Sequence, residues 1–362
     1  VVADGPATAA ATTTTNRVVA APCVITARNV SDGRARAVVI NSGNANACTG
    51  PDGLHDAETT TEIAGRLLGV AATDVLVCST GVIGVPLPMA PLVAGLPRVV
   101  ADLSTDGGGR AARAILTTDS VDKQSAYRVE DATGACTVGG IAKGAGMIEP
   151  AMATMLAVVT TDAPLTPAVL RPMLKQVVAR TFNRISVDAC GSTNDTVVVL
   201  ASGHSQHPPT LATFRNGLEA VCADLARAIV ADGEGTSKVA ELTVSGAARE
   251  HDAVTLARAI AASDLFRAAL AGADPNWGRV LAAMGTTEVD FDPARVSVAF
   301  GGVAVCRFGV ATGFDRGLAA AALSRPVVEI TVDLGGRGEA SATFLTADLT
   351  PDYVRLNSEY TT

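Results

Sequence analysis

Apolar positions along the chain follow two different periods. Short runs at 36–40 (Arg-Ala-Val-Val-Ile) and 74–78 (Asp-Val-Leu-Val-Cys) are bounded by Asn, Ser and Gly and are too short for helices. They predict strands buried on both faces. Between them, Ile63, Ala64, Leu67 and Leu68 share one helical face over 61–68, and a further helix is expected after Gly107-Gly108-Gly109. The strongest amphipathic stripe runs over 167–182, through Val169, Leu170, Met173, Leu174, Val177 and Val178; Thr166 is its expected N-cap and Pro167 its first turn. Another helix spans 211–230 and stops at Asp232-Gly233. Residues 296–308 read as two strands joined through Gly301-Gly302, late strands follow at 327–334 and 340–344, and Thr350-Pro351 starts a last helix. No internal repeat is visible. Helices and strands mix throughout, which predicts an α/β (α+β) protein with sheets stacked between helical layers.

Composition refines this picture. Of 362 residues, 48% are hydrophobic but only 3% aromatic, so the core is built from Ala, Val and Leu, with 35 glycines shaping the turns. A net charge of −8 opposes a polyanionic partner and argues against nucleic-acid binding. No run of 18 apolar residues occurs, and the first ten residues carry neither a basic stretch nor an apolar signal core, so no membrane partner and a cytoplasmic location are expected. The opening Val1-Val2-Ala3-Asp4-Gly5 lacks a methionine and reads as the inside of a strand, which predicts a preceding segment. Seven cysteines lie at least 25 positions apart, without Cys-x-x-Cys spacing, and are read as free thiols. Among four histidines, the pair His204 and His207 is too few ligands for a metal site.

Polar and glycine-rich clusters interrupt the apolar segments, as strand-end loops carrying a site would. Asn41-Ser-Gly-Asn44-Ala-Asn46 is the first. In Ser79-Thr80-Gly81-Val-Ile-Gly84, just after a strand, N–H groups beside a glycine could form an oxyanion hole; an ordinary turn with positive φ at Gly81 is the alternative. The segment from Gly139 through Lys143-Gly144-Ala-Gly146 to Ala153-Thr154-Met-Leu has the order wrong for a phosphate loop, because its lysine precedes Gly144 and a strand follows. Thr154 by itself reads as a β-branched strand residue. Further clusters are 188–196 and 232–238, where Glu234 between two glycines is either functional or a solvated turn carboxylate, and 274–279 around Trp277, where a helix connection anchored by the indole suffices. A hydroxyl nucleophile with no histidine near it in sequence needs another base. An N-terminal Thr has one in its own α-amine, whose pKa of about 8 suits neutral pH.

Taken together and in this order, these clusters resemble the ornithine acetyltransferase family, the glutamate N-acetyltransferases of arginine biosynthesis. The resemblance runs from Asp4 to Thr362. It is carried by Asn-Arg at 16–17, Asn-Ser-Gly-Asn-Ala-Asn at 41–46, Ser-Thr-Gly-Val-Ile-Gly at 79–84, Thr-Thr-Asp at 117–119 and Lys-Gly-Ala-Gly-Met-Ile-Glu-Pro-Ala-Met-Ala-Thr-Met-Leu at 143–156. Ser-Thr-Asn-Asp-Thr at 192–196, Asp-Gly-Glu-Gly at 232–235, Asp-Pro-Asn-Trp-Gly-Arg at 274–279 and the closing 355–362 follow. Ala189-Cys190-Gly191 and the absent leading segment depart from the pattern.

The resemblance implies an αββα-layered fold like that of N-terminal-nucleophile proteins, with different strand connections. It implies cleavage between Ala153 and Thr154 into an α chain (1–153) and a β chain (154–362), two of each assembling around one kind of catalytic unit. Thr154 is then the nucleophile toward N2-acetylornithine, Thr80 and Gly81 hold the oxyanion, and glutamate accepts acetyl from the Thr154 ester. Thr117, Lys143, Thr154, Glu234, Asn357 and Thr362 would bind substrate, Lys143 suiting a carboxylate and Glu234 an ammonium or a proton transfer. No cofactor and no metal are implied. Whether acetyl-CoA is a second donor stays open. The rival readings are a self-cleaving aminopeptidase or amidase on the same scaffold, with water as acceptor, and a binding protein whose chain stays whole.

Overall fold

The computed structural model describes residues 1–149 and 155–359. Ala153, Thr154 and Thr362 lie outside them. Strands and helices alternate in the first third: β1 (Val2–Thr13), α1 (Ala21–Asn29), β2 (Arg34–Asn44), α2 (Gly50–Leu68), β3 (Val75–Val82), α3 (Met89–Ala101) and α4 (Gly108–Ala114). A hairpin of β4 (Lys123–Asp131) and β5 (Gly134–Lys143) follows, then β6 (Leu156–Thr161), α5 (Pro167–Arg180), β7 (Ile185–Ser186), β8 (Thr196–Ala201) and α6 (Leu211–Ala231). The last third holds β9 (Val239–Ala247), α7 (Glu250–Ala261), α8 (Asp264–Ala271), α9 (Trp277–Met284), β10 (Ser297–Phe300), β11 (Val303–Arg307) and β12 (Val310–Ala311). It closes with α10 (Arg316–Leu323), β13 (Val327–Asp333), β14 (Ala340–Ala347) and α11 (Pro351–Glu359).

These strands form two mixed seven-stranded sheets, ordered β3-β2-β1-β8-β6-β5-β4 and β12-β11-β10-β13-β9-β14-β7. In the first, β2 and β3 run parallel, as do β6 and β8. Every residue of β8 is buried, which is why its Val-rich run shows no alternation. Successive side chains of β6 and β8 enter different clusters. Ala157, Val159, Val197 and Val199 pack with Leu174, Val177, Leu218 and Leu225 of α5 and α6, whereas Leu156, Val158, Val198 and Leu200 join Ala112 and Ile115 at and beside α4. In the second sheet Val328, Ile330 and Val332 of β13 pack under α7–α10, and the residues between them are exposed. This is the mixed α/β architecture of helix-covered sheets that the sequence predicts. α6 contacts β4 and β5 of the first sheet and β14 and β7 of the second, so the loop leaving its C-terminus lies where the sheets meet.

Several elements differ from expectation in extent. α2 starts at Gly50 rather than 61, because its buried side is Gly53, Ala57, Thr60 and Thr61, small or polar residues that hide the helical period. Thr166 precedes α5 in the cap position, but its side chain makes no capping hydrogen bond; Pro167 alone fixes that start. The turn at Gly301-Gly302 holds as read, with both glycines at positive φ (51° and 84°), the pattern that lets a two-residue turn match strand twist.

Candidate active site

The parallel strands β2 and β3 end side by side in the two motifs 41–46 and 79–84. Gly81 has φ +129°, and a Cβ there would stand 2.2 Å from the Gly43 carbonyl carbon, so no other residue fits this crossing. Asn194 clamps both loops, donating to the Ala45 carbonyl at 2.6 Å and the Ser79 carbonyl at 2.9 Å. Ser79 Oγ donates to Asn41 Oδ1, and Asn44 donates to the carbonyls of Val85 and Pro86. The asparagines of 41–46 thus brace the loop that presents Thr80 and Gly81. Thr80 itself is 1% exposed.

Next to Thr80 stands a file of buried, alternating charges. Lys143, the last residue of β5, donates from Nζ to Thr117 Oγ1 at 2.7 Å and Thr80 Oγ1 at 3.3 Å, and lies 3.5 Å from Asp119 Oδ2. Asp119 Oδ1 also accepts from Lys123 Nζ at 2.7 Å and from the Gly144 N–H at 2.6 Å. Lys123 reaches Asp232 Oδ2 at 2.6 Å. Unpaired, such buried charges would cost several kcal/mol each; in series each has an opposite neighbour. Burial would raise the Asp119 carboxyl, but Lys143 and Lys123 outweigh it and hold the group below its ordinary value. Burial lowers the Lys143 ammonium, with Asp119 opposing. Asp119, Lys123 and Asp232 carry no role in the reading of the sequence; Asp119 closes the Thr-Thr-Asp motif and Asp232 opens Asp-Gly-Glu-Gly, whereas nothing local marks Lys123.

Glu234 is tied to the same region through its backbone, which donates to the Ala145 carbonyl at 2.8 Å. Its carboxylate accepts from Asn357 Nδ2 at 2.8 Å. A Cβ on Gly146 would meet that carboxyl at 2.6 Å, so the glycine makes room for it. Thr350 Oγ1 donates to the Gly235 carbonyl and caps the Tyr353 N–H, which seats α11 on the loop. Between these parts opens a cavity of about 540 Å³ lined by Thr117, Ser120, Asp232, Glu234, Gly235 and Asn357. That volume lies in the range of small-molecule sites. A more open concavity of about 670 Å³ around Arg128, Asp131, Asp162 and His207 shares no residue with this site. Thr117, Glu234 and Asn357 are therefore brought together around one cavity, with Lys143 and Thr80 buried behind Thr117 and joined to it through the Lys143 ammonium.

The chain on both sides of the undescribed 150–154 is anchored on one loop, the 188–196 cluster. Asp188 accepts from the N–H groups of Met147 and Ile148, and Asp195 Oδ1 accepts from the Met155 N–H at 3.0 Å. Burial raises the Asp195 carboxyl well above its ordinary value, and its Oδ2 is buried without a partner. Glu149 is likewise pushed up by burial, to about 7, against the lowering effect of the Ser186 hydroxyl that donates to it at 2.6 Å. A carboxyl raised in the folded state gives stability that is full below its unfolded pKa and is lost as pH rises through the folded one. Between about pH 4.5 and 7 the protein should therefore lose on the order of 2 kcal/mol through Glu149. Denaturant titrations at pH 5 and 8 should show this loss shrinking in Glu149→Gln; equal losses in both proteins would show an ordinary carboxyl.

Among the described residues no group of three His, Cys, Asp or Glu side chains could hold a metal, and no helix is long and apolar enough to cross a membrane. Hydroxyls, an ammonium and a carboxylate, carried by the ends of β3 and β5 and by the loops after α4 and α6, gather at a polar pocket of a layered α/β protein, the kind of site that holds a small charged ligand. Residues 1–362 match the ArgJ family, and the chain belongs to it. It is 51% identical to the arginine biosynthesis bifunctional protein ArgJ of Thermobifida fusca (strain YX), over 100% of this chain and 93% of that protein. Its identity to the protein of the same name from Mycobacterium tuberculosis (strain ATCC 25618 / H37Rv) is 47%, over 99% and 89%. The crystal structure of argJ from Bacillus halodurans is 38% identical with a TM-score of 0.53, covering 56% of this chain and 97% of that one. The protein is thus an acyltransferase of arginine biosynthesis, as the resemblance implied.

Proposed function

We propose that the precursor cleaves itself between Ala153 and Thr154, and that the mature enzyme moves acetyl from N2-acetylornithine to glutamate through an ester on Thr154. The Thr154 hydroxyl attacks the acetyl carbonyl carbon while its own α-amine takes the proton. Negative charge gathers on the carbonyl oxygen, facing the Thr80 hydroxyl and the Gly81 N–H. The C–N bond breaks, ornithine leaves with the proton, and acetyl-Thr154 remains. Glutamate then fills the same cavity, its amine attacks the ester, and N-acetylglutamate departs as the Thr154 hydroxyl is restored. Glu234 holds the incoming or leaving ammonium, and Thr117, Asn357 and Thr362 line the substrate. Acetyl-CoA is proposed as a second donor, supported by the word bifunctional in the relatives' names. Two α and two β chains form the assembly, and a reducing, cytoplasmic setting is supported by the seven free cysteines.

The observation that carries this reading is the Thr80–Lys143–Thr117 cluster beside the cavity that Glu234 and Asn357 line. Incubated with N2-acetylornithine alone, the β chain should gain one acetyl group on Thr154, and added glutamate should remove it as N-acetylglutamate. Mass spectrometry of quenched samples reads both steps. Intersecting kinetics with no acetylated β chain would favour direct transfer, and loss of acetyl to water under saturating glutamate would favour the hydrolase.

A further inference from the structure

Lys143 was expected to meet a substrate carboxylate, yet its three donors already face Thr117, Thr80 and Asp119. An ammonium has hydrogens and no lone pair. Where it faces Thr80 Oγ1 it can only donate, so the single hydrogen of the Thr80 hydroxyl must point elsewhere. A neutral Lys143 amine would instead accept that hydrogen and withdraw it from the acyl-transfer site. Protonated Lys143 therefore sets the direction of the Thr80 donor.

We propose that Asp119 is a positioning residue for the oxyanion site: by pairing with Lys143 it keeps that ammonium a donor to Thr80, and so aims the Thr80 hydroxyl at the oxyanion. This rests on the Thr154 reading above. Asp119 is placed for it on every side. Its side chain is fully buried, and the Gly144 N–H fixes the carboxylate beside the backbone that carries Lys143. Lys123 on β4 draws on the same carboxylate and repels Lys143, and Asp232 after α6 offsets Lys123. Glu234 is the remaining charged group acting on Lys143, and it favours the ammonium. The file of charges thus balances Lys143 between donor and acceptor, with Asp119 as the largest counterweight to its burial.

Two variants test this with opposite signs. Asp119→Asn keeps the shape and an acceptor for Gly144 but removes the charge, so Lys143 loses its proton at lower pH. The ratio of variant to wild-type kcat should fall by about tenfold or more between pH 6.5 and 9, with KM for N2-acetylornithine changing much less. The double variant Lys123→Met/Asp232→Asn removes the competing cation together with its partner, and should move the alkaline limb of kcat upward. General loosening of the fold would not move the two limbs in opposite directions. If Asp119→Asn fails to fold, the double variant decides alone: an upward shift supports the proposal, and no shift or a downward one overturns it. Acetylation of wild-type Thr154, measured alongside, separates the layers. With the ester present, a flat ratio overturns the role of Asp119 only; with no ester in the wild type, the Thr154 reading and this inference fall together.

Discussion

Thr154→Ala should leave the protein as one uncut chain with no measurable acetyl transfer. Cleavage of the Ala153–Thr154 bond by the chain itself requires the Thr154 hydroxyl to attack the Ala153 carbonyl; the C–N bond breaks, which frees the Thr154 α-amine and leaves an ester on the hydroxyl oxygen, and water then opens that ester to give the Ala153 carboxylate and restore the hydroxyl. Alanine has no oxygen to begin this and none to carry acetyl later. Removing a nucleophile from a covalent mechanism costs on the order of 10⁴–10⁶ in kcat, so residual turnover should fall below detection. The anchors of the flanking chain, Asp188 on Met147 and Ile148 and Asp195 on Met155, use backbone groups that the substitution leaves in place. The uncut variant should therefore fold, and loss of processing then reports chemistry rather than misfolding. Thr154→Ser, which keeps the hydroxyl, should still be cut. Denaturing gels and intact mass decide the matter: efficient cleavage of the alanine variant would remove the Thr154 hydroxyl from maturation.

The sequence made some of this architecture legible and hid the rest for physical reasons. α5 and α6 were readable because their buried stripes are made of Leu, Val, Met and Phe, residues that stand out from their exposed neighbours. Of β1 only the opening residues 1–5 read as strand; its run on to Thr13 stayed hidden, since its Ala and Thr residues bury little area each and its inward positions are alanines between strands. α3 carries Pro97 inside it and a largely exposed surface, which contradicts the usual signs of a helix. At the site, the motifs marked the loops that matter without saying which residues act and which brace. The asparagines of 41–46 are struts. Asp195, one residue short of β8, turned out to hold Met155 across 40 positions. The charge file could not be read at all, because Lys123 and Asp232 are 109 residues apart and meet only once β4 and the end of α6 are packed together.

Thr80→Ala should lower kcat about 10²–10³-fold, the usual cost of one oxyanion donor, while leaving KM for N2-acetylornithine within a few-fold of wild type. The separation follows from where Thr80 sits. It does not line the 540 Å³ cavity of Thr117, Glu234 and Asn357, so a bound substrate loses little in the ground state. Nor does the loop depend on its hydroxyl: Asn194 holds the Ser79 carbonyl, Asn41 accepts from Ser79, and Gly81 is locked against Gly43. Lys143 keeps Thr117 and Asp119 when Thr80 loses its oxygen, so no buried cation is stranded. On the role proposed for Thr80, what disappears is one hydrogen aimed at a charge that exists only in the transition state. Thr80→Ser should restore most of kcat, because the hydroxyl returns and only a methyl is lost. Steady-state kinetics of the two variants checks this: an unchanged kcat in Thr80→Ala would reduce 79–84 to a turn shaped by Gly81, and a matching rise in KM would make Thr80 a binding residue instead.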